Sequence, residues 1–210
     1  METKIKFSIS YEELLKVHED KAENFDKAYY LILNKNPWQN PDNIIEFLRR
    51  WNTRVPIKRN KGKIEGTINS LKSEFDSLKT VKLENFNEKL DNIEITERIF
   101  EKLSRIELKT PKGKIIRLKS TGVSKIMHAI NQNLFVMWDN GIAEYYGCAT
   151  NAKGYIRFME TMQDMCIELL NQHNGNILKE TGRTIPKLLD EYNWMKFSSS
   201  KMKEKDKVRD

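Results

Sequence analysis

Between residues 64 and 78 the apolar side chains fall at Ile64, Ile68, Leu71, Phe75 and Leu78, in alternating steps of four and three. A helix brings residues so spaced onto one face, and that face must be buried. The same rhythm recurs along the chain. Leu14, His18, Ala22, Phe25, Tyr29 and Ile32 follow an S-x-x-E capping box at Ser10 and Glu13. Asn36-Pro37 and Asn40-Pro41 break that helix, and Asn40 caps the next, with Ile44, Phe47, Leu48 and Trp51 as its inner stripe. Shorter helices are expected over 82–91 and 94–107. Others run from Ser120 or Thr121 to about Gln132, and from Asp139 to Tyr146 with a stop at Gly147. A long helix carries Tyr155, Met159, Met162, Cys166 and Leu169 and closes at Asn174-Gly175; Thr184 caps the last. Only residues 106–118 break the rhythm, where Pro111-Lys112-Gly113 sits between two β-prone runs and predicts a small hairpin. The expected fold is all-α: one compact multi-helix domain over residues 1–197, with one β-hairpin near 106–118 and a flexible charged tail from 198 to 210.

Charge is distributed unevenly within this helical pattern. The chain has 37 Lys plus Arg against 30 Asp plus Glu, a net +7. Residues 49–63 hold seven basic residues and no acid, and residues 108–138 hold six more, again with no acid. Acid-free basic stretches displace phosphate counterions favourably, so nucleic acid is the expected partner. Arg49, Arg50, Arg54, Lys58 and Arg59 in the first stretch and Lys112, Lys114, Arg117 and Lys119 in the second are the candidate nucleic-acid contacts. Trp38, Trp51 and Tyr146 are candidate base-stacking rings, Trp51 also fitting the inner stripe of its own helix.

Several function classes are excluded. No apolar run approaches the roughly 18 residues of a membrane span, and the start METKIKFSIS lacks the apolar core of a secretory signal, so a cytoplasmic address without membrane association is expected. Two cysteines, Cys148 and Cys166, are too few for a disulfide scaffold or a four-cysteine metal site. His18, His128 and His173 are scattered, and no metal or cofactor is expected. His128 lies beside Met127 and Ile130 and reads as a structural histidine. The P-loop, the nucleophile elbow and the zincin motif are all missing.

The segment 118–142, LKSTGVSKIMHAINQNLFVMWDNGI, contains a turn, a helix, an apolar run and then Asp139 at the start of another helix. A carboxylate beside apolar walls gains value as a base or a charge stabiliser. The residues alone favour a simpler role for it, the N-cap of the helix it opens.

This order over about residues 108–146 resembles the helix-hairpin-helix DNA glycosylase superfamily, an all-helical base-excision repair fold. With Lys119 in the place of the last hairpin glycine, Asp139 falls where that family keeps its catalytic Asp. The resemblance implies double-stranded DNA as partner, Asp139 acting at the sugar as a flipped base departs, and Arg117 and Lys119 on backbone phosphates. The sequence departs from the family at three points. Ile116-Arg117-Leu118-Lys119 replaces the Pro-Gly-hydrophobic-Gly turn, and Thr121 occupies the Schiff-base lysine position, with Lys125 one helical turn on. Asn140 and Gly141 stand where the family has a His. The runs FLRRWNTR, SKIMHAINQNLFVMWDNGI and LLDEYNW also resemble microbial proteins without an assigned activity. The leading expectation is a DNA glycosylase with Asp139 and Lys125 as candidate catalytic residues. A helical nucleic-acid-binding protein without chemistry and a protein-interaction module using the basic loops are the alternatives. The residues do not set the lesion or the oligomeric state.

Overall fold

In the computed structural model, residues 9–19, 26–33, 35–52, 55–173 and 176–198 are described, and the fold below is that of these residues. Helices α1 (Tyr11–Glu19), α2 (Asp26–Tyr29), α3 (Pro41–Trp51), α4 (Lys61–Asn69), α5 (Lys72–Ser77) and α6 (Leu90–Ser104) come first. Strands β1 (Glu107–Lys109) and β2 (Ile115–Arg117) follow, then α7 (Ser120–Ile130), α8 (Asn140–Tyr145), α9 (Ala152–Gln172), α10 (Ile177–Thr181) and α11 (Ile185–Asn193). A single π-helical turn, Trp194–Ser198, closes the described chain. One hydrophobic cluster extends from Ile9 to Tyr192 and unites the helices, so the all-α expectation is met. None of the described helices is long and apolar enough to cross a membrane.

Several helix boundaries differ from the periodic reading. Ile64, Ile68, Leu71, Phe75 and Leu78 are all buried as one stripe, yet the helix breaks at Ser70-Leu71 into α4 and α5. Ser70 donates its hydroxyl to the Thr67 carbonyl, and Leu71 leaves helical geometry, so the stripe survives a kink that periodicity does not register. The two short helices expected over 82–107 are instead one 3₁₀ turn at Leu83–Asn85 and the single helix α6. The capping box is half realised: Ser10 Oγ accepts from the Glu13 amide at 3.1 Å. Asn40 makes no side-chain cap, and Pro41 alone marks that helix start. The expected stop at Asn174-Gly175 and most of the tail lie outside the described residues.

The connection between α6 and α7 fixes the geometry downstream. Glu107, Leu108 and Lys109 pair antiparallel with Arg117, Ile116 and Ile115, and Gly113 takes φ 81° in the turn. The hairpin turn that the glycosylase resemblance puts at Ile116–Lys119 is therefore extended backbone. β-Branched Ile115 and Ile116 favour a strand, and the residue with turn freedom is Gly113, three positions before Ile116.

After α7 the chain runs through Leu134–Trp138, each residue no more than 1 % exposed, without any strand to pair with. A buried extended segment must still satisfy its peptide groups. Side chains of the flanking helices do so. His128 Nδ1 meets the Phe135 carbonyl at 2.6 Å, Tyr155 donates to the Val136 carbonyl at 2.8 Å, and Ser124 Oγ accepts from the Trp138 amide at 3.2 Å. His128 is thus a structural core residue, its pKa pushed down to about 3 by burial. Trp138 packs among Phe100, Tyr155 and Phe158 and anchors the end of the segment. The next residue is Asp139.

Candidate functional site

Asp139 has an extended backbone, and its Oδ1 accepts the Ile142 amide at 3.0 Å, so it is the N-cap of α8. Its Oδ2 accepts the Ser198 hydroxyl from the closing turn. Capping and site membership coexist, because the same side chain lines a cavity of about 400 Å³.

The cavity is walled by Trp51, Trp138 and Trp194 and carries Arg50, Lys125 and Lys187 against Asp139, Asp190 and Glu191. Three cations and three carboxylates leave it close to neutral. Lys125 reaches it from α7 and donates to the Trp51 carbonyl at 2.7 Å and to Asn52 Oδ1 at 3.3 Å. An ammonium on the last carbonyls of a helix is favourable, so Lys125 also ties the C-terminus of α3 to α7. Burial pushes its pKa down to about 8. No carboxylate lies within ion-pair distance of it among the described residues.

Sequence reasoning missed the contribution of α11. Lys187 is 1 % exposed, bridges Asp190 at 2.6 Å and Glu191 at 3.5 Å, and stands 4.4 Å from the centre of the Trp51 ring. Glu191 is also held by His18 of α1 at 2.8 Å. Burial raises the Asp190 carboxyl above its usual range, outweighing the adjacent Lys187 ammonium. The signal was present: Lys187, Asp190, Glu191 and Trp194 fall at i, i+3, i+4 and i+7, one helical face. Charged residues spaced like an inner stripe point to a polar site in a core.

Beside the cavity lies an open groove of about 680 Å³, lined by Arg105, Arg117, Lys119 and Lys153 and by the first residues of α7 and α9. Its carboxylate is Glu101, which Arg105 already holds at 3.1 Å. Cavity and groove meet at two points of the backbone. Thr121 and Asp139 line the cavity, and their chain neighbours Ser120 and Asn140 line the groove.

The remaining sequence candidates divide by position. Trp51 lines the cavity and packs on Phe47 at 4.9 Å, so its stripe and site readings are both realised. Trp38 lies elsewhere, against Phe75 with Lys72 over its ring. Tyr146, the residue that follows α8, turns away from the cavity, donating to Asn193 Oδ1 at 2.7 Å and packing on Phe158 of α9. Arg49 and Arg50 both hydrogen-bond Glu46, whose pKa falls to about 2, and Arg50 also borders the cavity. Arg54 lies outside the described residues. Lys58 and Arg59 are exposed next to Asn60, whose side chain bonds both the amide and the carbonyl of Lys109. That bond joins the two acid-free stretches along one edge, with Lys112 and Lys114 exposed at the hairpin tip. Among the described residues no group of three or more His, Cys, Asp or Glu side chains is placed to hold a metal ion. No protein-family model, no curated protein and no solved structure matches this chain.

Proposed function

We propose that the protein binds DNA and hydrolyses the N-glycosidic bond of a nucleoside turned out of the duplex, with Asp139 at the sugar. The carrying observation is the boundary position of Asp139, between a near-neutral cavity walled by tryptophans and a cationic groove. A nucleotide has the same division: a planar, neutral base, a sugar, and a charged phosphate. Largely apolar aromatic walls suit a neutral base, and Arg117 and Lys119 suit the phosphates. A carboxylate at the junction stands where positive charge develops on the sugar as the base departs. Thr121 has no amine, and the Lys125 amine is held by the Trp51 carbonyl and Asn52, so the reaction is simple hydrolysis, with Lys125 fixing Trp51 at the cavity wall.

Incubation with a panel of duplexes, each carrying one altered base, tests this by scoring base release and retention separately. Wild-type protein should release at least one base, and Asp139→Asn should bind that duplex while releasing nothing. Release at the wild-type rate by Asp139→Asn would remove Asp139 from the chemistry. A second reading, DNA binding without chemistry, is favoured by the engagement of both Asp139 oxygens, by the Ile142 amide and the Ser198 hydroxyl. It predicts retention of DNA with no base released from any duplex.

A further inference from the structure

The groove beside Asp139 has a second wall that the basic stretches of the sequence do not reveal. One wall is the β2–α7 junction, with Arg117, Lys119 and Ser120; the other is the start of α9, with Thr150, Asn151 and Lys153, and Arg105 stands at the end of α6. Four cations face one carboxylate across this space, and that carboxylate is already paired. Arg117, Lys119 and Lys153 have no ion-pair partner among the described residues. Both helices that open here are long, α7 with 11 residues and α9 with 21, so both present positive dipole ends, although Asn151 caps α9 by accepting the Gly154 amide at 2.9 Å. At α7 the N-cap residue is Lys119, whose side chain has no capping oxygen; its carbonyl accepts the Gly122 and Val123 amides, which leaves those of Ser120 and Thr121 open.

Ser120 points independently to a ligand. It is 7 % exposed, it lines the groove, and its hydroxyl makes no hydrogen bond among the described residues. With no such partner, that hydroxyl opens onto the groove beside the free cations, where an external acceptor can meet it. A phosphodiester oxygen suits all of these donors together, being anionic and able to accept from hydroxyl, amide and ammonium groups.

We propose that this two-walled groove clamps the backbone of the DNA strand that carries the extruded nucleoside, with Ser120 and the α7 amides on one phosphate and Lys153 with Arg105 on a neighbouring one. The inference rests on the DNA-binding part of the proposed function and extends it to Arg105 and Lys153, outside both basic stretches. Asn140 sets the strand, since it lines the groove directly after Asp139.

Equilibrium binding of a fluorescent duplex with a tetrahydrofuran abasic analogue, measured across a salt series, tests the clamp. Lys153→Glu should weaken binding by about tenfold and lower the slope of log affinity against log salt by about one. Arg105→Glu should act in the same direction, Ser120→Ala should weaken binding a few-fold, and Lys179→Glu, away from the groove, should behave as wild type. An acid in the first turn of α9 favours the helix, so weakened binding by Lys153→Glu does not reflect loss of fold. Wild-type affinity and slope in both Lys153→Glu and Arg105→Glu would overturn the clamp, as would failure of the wild-type protein to bind the duplex. The two readings fail separately. A clamp that responds while no base is ever released leaves the groove standing without excision, and base release with an unresponsive slope does the reverse.

Discussion

Asp139 shows how one side chain serves structure and site together. Its Oδ1 caps α8 while the carboxylate borders the cavity, so a substitution can remove the charge or the cap. Asn is as good an N-cap as Asp, and Ala is not. Asp139→Ala should therefore lower folding stability by about 1 kcal/mol, read as a shift in the urea midpoint, whereas Asp139→Asn should stay near wild type. Equal losses in the two variants would mean that the charge, not the cap, stabilises this corner. The residues themselves favour the cap, which the structure has, and the fold also sets the same carboxylate against the cavity.

Among the elements, the unpaired segment Leu134–Trp138 decides where Asp139 stands. Its peptide groups depend on single side chains, so each is individually exposed to mutation. Tyr155→Phe leaves the Val136 carbonyl buried without its donor and should cost on the order of 2 kcal/mol. Chemical denaturation measures this, and an unchanged midpoint would show that another donor reaches that carbonyl. The start of α9 has a different constraint. A Cβ at Gly154 would collide with the Ala149 backbone carbonyl, so Gly154→Ala must displace the loop that precedes the helix. The expected loss is about 1–3 kcal/mol, the range for forced overpacking. Because the loop forms one groove wall, DNA affinity should fall with it; full affinity with lost stability would separate wall from fold.

At the scale of the whole molecule, pH acts through the core. His128 is fully buried, and burial pushes its pKa down to about 3 from an ordinary 6.5. The unfolded chain therefore takes up a proton below pH 6.5 that the folded chain refuses until far lower. Stability is complete above that value and is lost as pH falls from 6.5 towards 3, at a slope on the order of 1 kcal/mol per pH unit. Urea midpoints between about pH 6.5 and 5, compared between wild type and His128→Gln, isolate the share of this histidine. His128→Gln can still donate to the Phe135 carbonyl and cannot titrate, so it should lose that share of the slope. A wild-type slope in His128→Gln would assign the pH dependence to another group.

The sequence by itself determined the helical class, the hairpin at Pro111–Gly113, the caps at Thr184 and Asp139, and the burial of the stripe from Ile64 to Leu78. Each is a local matter, set by periodicity, by a side-chain oxygen at a helix start or by turn residues. The break at Ser70-Leu71 escaped that reading because a kink can keep an apolar stripe buried. The site was only partly legible. Asp139 and Lys125 lie on one short segment, but α11 and the turn that follows it bring Lys187, Asp190 and Trp194 to them, and α3 brings Trp51. Burying the Lys187 ammonium costs desolvation, which is offset only where the packed helices set Asp190, Glu191 and the Trp51 ring around it, a condition no local pattern expresses. The second wall of the groove has the same origin: Lys153 is an ordinary surface lysine in the sequence, and the tertiary structure alone sets it across from Arg117 and Lys119.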